Sequence, residues 1–288
     1  MRIVTVRRVF GGCVNSGRHY ALVLLLGAST YPAIAQNCVP AHKFNTIVPG
    51  TLTIAMGELP PFDTLDKDGN YTGVEADLLK IIAKKECLKI AATQVDPAGQ
   101  VQYVFSRKAD IGAFGWYRSA ARAKILNVSD PLLVERLAIY SKDGATSIDS
   151  LRGWTTGTIQ GYLWVPDLKK ILGDSLRLYP NPVALAQDLS AGRIDAAIDS
   201  YTKGIYAQKH SGGYSGWIIK VAQPNVEVKA SVQPAQTTLL MSKDATDLAS
   251  AINSDLRELR ANGTIRGILK TYGLDPSAAE VGEPRLLH

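Results

Sequence analysis

The sequence predicts an α/β fold, and three observations predict it. Short alternating or apolar runs such as TLTIAM at 51–56 take turns along the chain with amphipathic stretches of helical period. Glycines, prolines and pairs such as Asp68-Gly69 separate them. Strand, helix and strand recurring in that order is the rhythm of βαβ units. The chain carries no repeat of roughly 20 to 50 residues and no low-complexity tract.

Ahead of the first element, Arg2, Arg7, Arg8 and Arg18 precede the apolar run ALVLLL, and Ala33-Ile34-Ala35 precedes Gln36. That layout predicts a secretory signal peptide over 1–35, cleaved near Ala35/Gln36 into the periplasm. The apolar run is far shorter than the roughly 20 residues of a spanning helix, which weighs against a membrane anchor. Arg7-Arg8-Val9-Phe10 keeps the twin-arginine route open beside the general one, although Val6 stands where Ser or Thr is usual. Asn37 before Cys38 breaks the lipoprotein pattern. Of 32 basic residues four leave with the leader and no acidic residue does, so 28 stand against 26. The overall charge of +6 therefore gives no reason to expect nucleic acid or an anionic membrane as partner.

Thr51 to Met56 reads as the first strand, followed by a turn-rich stretch from Gly57 to Gly73. Val74, Leu78, Ile81 and Ile82 make one face of a helix to about Glu86, and Leu88 to Val95 is the next strand. A helix at Gln100 to Lys108, a buried run at Ile111 to Phe114, a short helix opened by Ser119 and a strand at Arg136 to Ser141 follow, with Pro131 as a break. A second series starts after Gly144: a helical turn at Ser147 to Gly153, a strand at Thr155 to Gln160 and a helix at Pro166 to Leu172, its proline suited to a first turn. Next come a strand at Leu176 to Tyr179, a helix at Val183 to Ala191, a strand at Arg193 to Ser200 and a helix at Tyr201 to His210. Strands at Trp217 to Val221 and Thr237 to Ser242 lead to a closing amphipathic helix with Leu248, Ile252, Leu256 and Leu259, ended by Asn262-Gly263.

Two cysteines survive leader removal, Cys38 and Cys87. In an oxidising compartment they can pair, stabilising the fold by about 4 kcal/mol; the alternative is one buried and one free thiol. No metal or cofactor is implied, because His42, His210 and His288 are scattered and each cysteine stands alone.

Arg122 raises a question of its own. Ser119 reads as an N-cap, so Arg122 falls in a first helical turn, where free N–H groups already favour an anion over a cation. It is either a solvated surface arginine or half of an anion site.

The ordered set GTLTIAMGELPPF, GNYTGVEADLLKIIAKK, RKADIGAF, SAARAKILNVSDP, GTIQG, SAGRIDAAIDS and LRELRANGTIRGILKTYG resembles the bacterial extracellular solute-binding proteins of the amino-acid uptake type, family 3, with the type II periplasmic-binding fold. The resemblance implies two α/β lobes, two hinge crossovers and a cleft between them. Lobe 1 would comprise 45–135 and 238–275, lobe 2 136–237, with a tail at 276–288. It further implies a monomer that encloses a small carboxylate-bearing ligand, an amino acid or a bulky organic acid, and delivers it to membrane permease subunits of an ABC transporter.

Ser119-Ala120-Ala121-Arg122 matches the family's Ser/Thr-x-x-Arg, whose arginine clamps the ligand's α-carboxylate. Gly115, Trp116 and Tyr117 stand just before it, and Glu58, Leu59 and Phe62 lie in the loop after the first strand. Leu59 occupies the usual place of a stacking aromatic, and Glu58 would select against a second anionic group. In lobe 2, Gln160-Gly161 matches the family turn, but Tyr162 and Leu163 replace hydroxyl residues; Trp164 either adds to that wall or packs in the core. Ser200 stands where amino-acid binders carry the aspartate that takes the ammonium, and Asp199 precedes it by one. Asp199 either takes over that role or N-caps the next helix, and Ser200 could cap equally well.

Beside the receptor, two other classes stay open. Some relatives of this fold are enzymes of the cyclohexadienyl-dehydratase type, although Gly161 to Trp164 carries no acid or histidine to donate a proton. The third is a ligand-sensing partner of a membrane receptor.

Overall fold

The computed structural model describes residues 38–287; the expected leader at 1–35 lies outside them, as does His288. The chain begins with β1 (Thr51–Met56), a hairpin of β2 (Thr64–Leu65) and β3 (Tyr71–Thr72), α1 (Val74–Lys85), β4 (Lys89–Gln94), α2 (Pro97–Phe105), β5 (Ile111–Tyr117), α3 (Ala120–Ile125), β6 (Leu126–Val128) and β7 (Val134–Glu135). It continues through β8 (Leu137–Ser141), β9 (Thr156–Ile159), α4 (Val165–Leu172), β10 (Leu176–Tyr179), α5 (Pro182–Ser190), β11 (Ala196–Ser200), α6 (Tyr201–His210), β12 (Ile218–Val221) and α7 (Lys229–Val232). Then come β13 (Ala235–Ser242), α8 (Thr246–Ala261) and α9 (Thr264–Thr271).

Apart from the β2–β3 hairpin, the strands form two sheets, the basis of a two-lobed fold. In the first the order is β4-β1-β5-β13-β6, with β7 on the end of β13; in the second it is β10-β9-β11-β8-β12. β1 is parallel to β4 and β5, whereas β13 runs antiparallel to β5. The chain passes between sheets twice, from β7 into β8 and from α7 back into β13. The two passages lie side by side, with Glu135 opposite Ala235 and Val134 opposite Gln236.

Strand alternation explains why each sheet is covered on both faces. In the second, Ile139 and Ile198 point to one side with Leu151 and Leu168, while Tyr140 and Ala197 point to the other with Leu185 and Ile219. In the first, Leu52, Ile54 and Met56 share a cluster with Leu79 and Ile82 of α1 and with Ile252 and Leu256 of α8.

Several boundaries differ from the sequence expectation for local reasons. α2 starts at Pro97 because the Asp96 carboxylate accepts the Gly99 N–H at 2.9 Å, an N-cap followed by a first-turn proline. β5 runs on past Phe114 to Tyr117 through Gly115 in the left-handed region (φ 57°), where its partner β13 shifts register between Thr238 and Leu240. The helix ended by Asn262-Gly263 does not close the chain. Gly263, at φ 81°, terminates α8 and opens α9.

Beyond α9 the chain returns across the second passage. Gln236 is the anchor: its Nε2 donates to the carbonyls of Val281 (2.8 Å) and Glu283 (2.9 Å), and its Oε1 accepts the Arg285 N–H (2.9 Å). The Leu287 N–H then donates to Arg118 O (3.0 Å), and Leu287 O accepts from the Ala120 N–H (2.8 Å). At the opposite end, Cys38 and Cys87 form a disulfide with Cα atoms 5.7 Å apart. No helix among the described residues is long and apolar enough to cross a membrane.

Candidate functional site

Where β5 turns into α3, Ser119 Oγ accepts the Arg122 N–H at 3.4 Å, the capping contact its position predicts. The Arg122 guanidinium is half-buried, with its carbon 4.6 Å from the centre of the Trp116 ring, and Nη1 donates to Tyr117 O at 2.7 Å. Among the described residues it forms no ion pair with a carboxylate. Burial lowers its pKa, and the neighbouring Tyr117 opposes that.

Successive residues of β5 face opposite ways, so Trp116 and Tyr117 divide. Trp116 packs with Val104, Leu126 and Leu240 and donates from Nε1 to Gln100 Oε1 at 3.1 Å, which makes it the support behind Arg122 rather than an open wall. Phe62 is likewise a core residue and packs against Gly115, where an added Cβ would stand 3.1 Å from its ring. Gly115 donates its N–H to Glu75 Oε2 at 3.1 Å. Leu59 bridges to Asp63, and Glu58 accepts the Thr64 hydroxyl.

On the second sheet Gln160 donates its N–H to Tyr179 O (2.9 Å) and Gly161 makes the turn at φ 80°. Tyr162 and Trp164 meet edge to face at 4.8 Å, and the buried Trp164 donates to Thr158 Oγ1 at 2.9 Å. Leu163 stays exposed.

Asp199 does not offer a free carboxylate. It is buried, its Oδ1 lies 3.1 Å from Lys203 Nζ, and the same oxygen accepts the Ser200 N–H at 2.6 Å. The expected ammonium acceptor is thus occupied by the protein's own ammonium. Burial would depress the Lys203 pKa, but Asp199 and the tyrosine hydroxyls around it outweigh that and raise it, so the group stays charged. Nζ also donates to the Tyr162 hydroxyl. Ser200 caps α6, accepting the Lys203 N–H at 3.2 Å, and donates its hydroxyl to Glu135 Oε2.

Glu135 was not expected from the sequence, since one acid beside a break carries no pattern. Lys203 had a signal, the i,i+4 spacing from Asp199. Burial raises the Glu135 pKa, while the Ser200 and Thr202 hydroxyls and the Lys203 charge lower it, and burial prevails. Glu135 lines a cavity of about 510 Å³ together with Tyr117, Leu163, Trp164 and, from the returning tail, Leu286 and Leu287. Tyr117 is half-buried on that wall, and burial pushes its pKa upward. Arg122 is not part of the wall; its contact with Tyr117 O sets it directly behind one.

A separate group, His42, Glu86 and Asp255, presents three ligand atoms within 4.8 Å of one another. These atoms are engaged within the protein, His42 Nδ1 lying 2.7 Å from Glu86 Oε1 and Lys85 Nζ 2.7 Å from Asp255 Oδ1.

The chain is 26 % identical over 261 residues to the lysine/arginine/ornithine-binding periplasmic protein of Escherichia coli (strain K12), covering 88 % of this chain and 95 % of that one. It is 25 % identical over 219 residues to the arginine-binding extracellular protein ArtP of Bacillus subtilis (strain 168), covering 74 % and 81 %. Among solved structures, substrate-binding domain 2 of Lactococcus lactis GlnP in an open conformation superposes with a TM-score of 0.63 at 25 % identity, over 80 % of this chain and 98 % of that one. The ancestral amino acid-binding protein AncCDT-1, described as a precursor of cyclohexadienyl dehydratase, gives 0.63 at 22 % identity over 77 % and 95 %, a likeness of fold. The profile of the bacterial extracellular solute-binding proteins, family 3, matches residues 52–275, and with two sheets joined by paired passages the chain belongs to that family.

Proposed function

We propose that this protein is a periplasmic receptor that captures a small carboxylate-bearing molecule, an amino acid or an aromatic or bulky organic acid, between its lobes and hands it to the membrane permease subunits of an ABC transporter. The lobes divide where β7 lies against β13, and the chain acts as a monomer. Arg122 is the observation that carries this reading: a half-buried guanidinium with five N–H donors spends one on Tyr117 O and has no carboxylate partner among the described residues. A ligand carboxylate would complete it, each charge-assisted bond contributing roughly 1.5 to 3 kcal/mol. The amino acids named for the bacterial relatives support the ligand class. Ligand would shift an open and closed equilibrium by its differential affinity for the closed form.

A thermal-shift screen of amino acids, aromatic acids and dicarboxylates tests the reading. A ligand at about a hundred times its dissociation constant stabilises by roughly 2.7 kcal/mol. Arg122→Ala is expected to abolish the shift for carboxylate ligands while leaving the unliganded melting temperature nearly unchanged. A carboxylate shift that survives the substitution overturns the assignment of Arg122.

One observation favours a second reading. A buried carboxyl with a raised pKa beside a cavity, as Glu135 is, also suits a proton donor in a dehydratase-type enzyme acting on a cyclic carboxylic acid. Mass spectrometry of the carboxylate panel after incubation separates the two: recovered ligand supports the receptor, and loss of water supports the enzyme.

A further inference from the structure

Glu135 has one carboxylate oxygen on which no donor closes, although the Thr202 hydroxyl and the Lys203 charge act on the group from nearby. Its side chain is 4 % exposed, Oε2 accepts the Ser200 hydroxyl, and Oε1 has no hydrogen-bond partner among the described residues. A buried acceptor left without a donor is costly, and more so when it carries charge. The other carboxylates nearby are engaged. Asp199 holds Lys203. Asp167, the second acid on the cavity wall, accepts the Lys229 N–H at 3.2 Å on Oδ2 and has Lys170 Nζ 3.6 Å from Oδ1. Lys229 also lines the cavity, yet it is exposed and forms no ion pair with Glu135.

Much of the remaining wall is apolar, with Leu137, Leu163, Trp164, Val226 and the tail residues Leu286 and Leu287, and Tyr117 and Gln233 add polar groups to it. At about 510 Å³ the space falls in the range of small-molecule sites, roughly 300 to 1,000 Å³. Lys203 is the near cation but is held by Asp199, and apolar side chains cannot neutralise a buried carboxylate, whereas a guest ammonium supplies both a donor and the opposite charge.

We propose that Glu135 Oε1 receives the ammonium of a small guest whose remaining bulk is apolar and seats against Trp164, Leu163 and the tail leucines. This rests on the solute-binding reading and narrows it: the cation of the guest is read by a strand of the hinge passage rather than by the acid at the end of β11. Ser200 positions the carboxylate from below, so the hydroxyl at the end of β11 serves the site through Glu135.

The test uses probes that share one phenyl body. Phenethylamine carries the ammonium alone, 3-phenylpropionate the carboxylate alone, L-phenylalanine both, and 2-phenylethanol neither charge. Calorimetric titration of the wild-type protein is expected to show phenethylamine binding at least tenfold tighter than 2-phenylethanol. Glu135→Gln is expected to weaken phenethylamine and L-phenylalanine at least tenfold and leave 3-phenylpropionate within twofold; Glu135→Asp, which keeps the charge but withdraws it, should fall between. Equal binding of amine and alcohol by the wild type, or no binding of either, overturns the inference whatever the variants do. So does undiminished amine binding in a folded Glu135→Gln. If 3-phenylpropionate alone binds and responds to Arg122→Ala, the carboxylate receptor stands and this assignment falls. If amines respond to Glu135→Gln while no carboxylate responds to Arg122→Ala, the reverse holds.

Discussion

Asp63 and Glu75 bring two carboxyls together beneath the loop that follows β1. The Tyr71 hydroxyl donates to Asp63, the Gly115 N–H donates to Glu75, and both acids are fully buried. Burial, the largest cause, pushes Asp63 up to about 6, opposed by its hydrogen bonds with Glu75 and Tyr71; burial and the charge of Asp63 hold Glu75 well above the usual carboxylate range. Two adjacent negative charges out of water are unfavourable, so the pair shares a proton. In the unfolded chain Asp63 loses its proton near 3.8, whereas the folded protein keeps one until about 6. The stabilisation is therefore full below the unfolded value and is lost as pH rises through about 6. Urea midpoints are expected to fall between about pH 4 and pH 7, and Asp63→Asn, whose amide can still donate to Glu75 and accept from Tyr71, should flatten that slope. Sequence reasoning reached the Ser119 cap on Arg122 because Ser-x-x-Arg is local. It missed the engagement of Asp199 by Lys203 and the whole of Glu135, because both depend on which side chains the fold brings together.

Among elements, legibility followed periodicity. β1 and α6 were readable to the residue from alternation and from apolar spacing with turn signals. β6 and β7, three and two residues long, have no pattern of their own and exist because β13 offers them a partner. α9 was missed for a different reason: Asn-Gly is a stop signal, and here the same glycine stops one helix and starts another. Ile265 and Leu269 of α9 lie buried in the first-sheet cluster with Leu256 of α8, so this helix is part of the core. Leu269→Ala is expected to cost about 2 to 5 kcal/mol in urea unfolding, the range for deleting a fully buried leucine side chain.

At the scale of the whole molecule, the Cys38–Cys87 link ties the first described residue to the end of α1 across 49 positions. Closing a loop of that length stabilises by about 4 kcal/mol in the chain-entropy model. Calorimetry with and without reductant is expected to show a loss of roughly 10 °C in melting temperature, and Cys87→Ser should reproduce it without further response to reductant. The returning tail has a mechanical meaning. Its last residues are anchored on Gln236, Arg118 and Ala120, in the first sheet and the turn beyond β5, and among its other partners Pro234 and Arg136 lie in the passages between the sheets. On the proposed opening of the lobes, Leu286 and Leu287 would travel as a lip with one jaw, while Leu163 and Trp164 would leave with the other. The greasy enclosure proposed for the guest would then split along a seam, and release would need no unlatching of the tail.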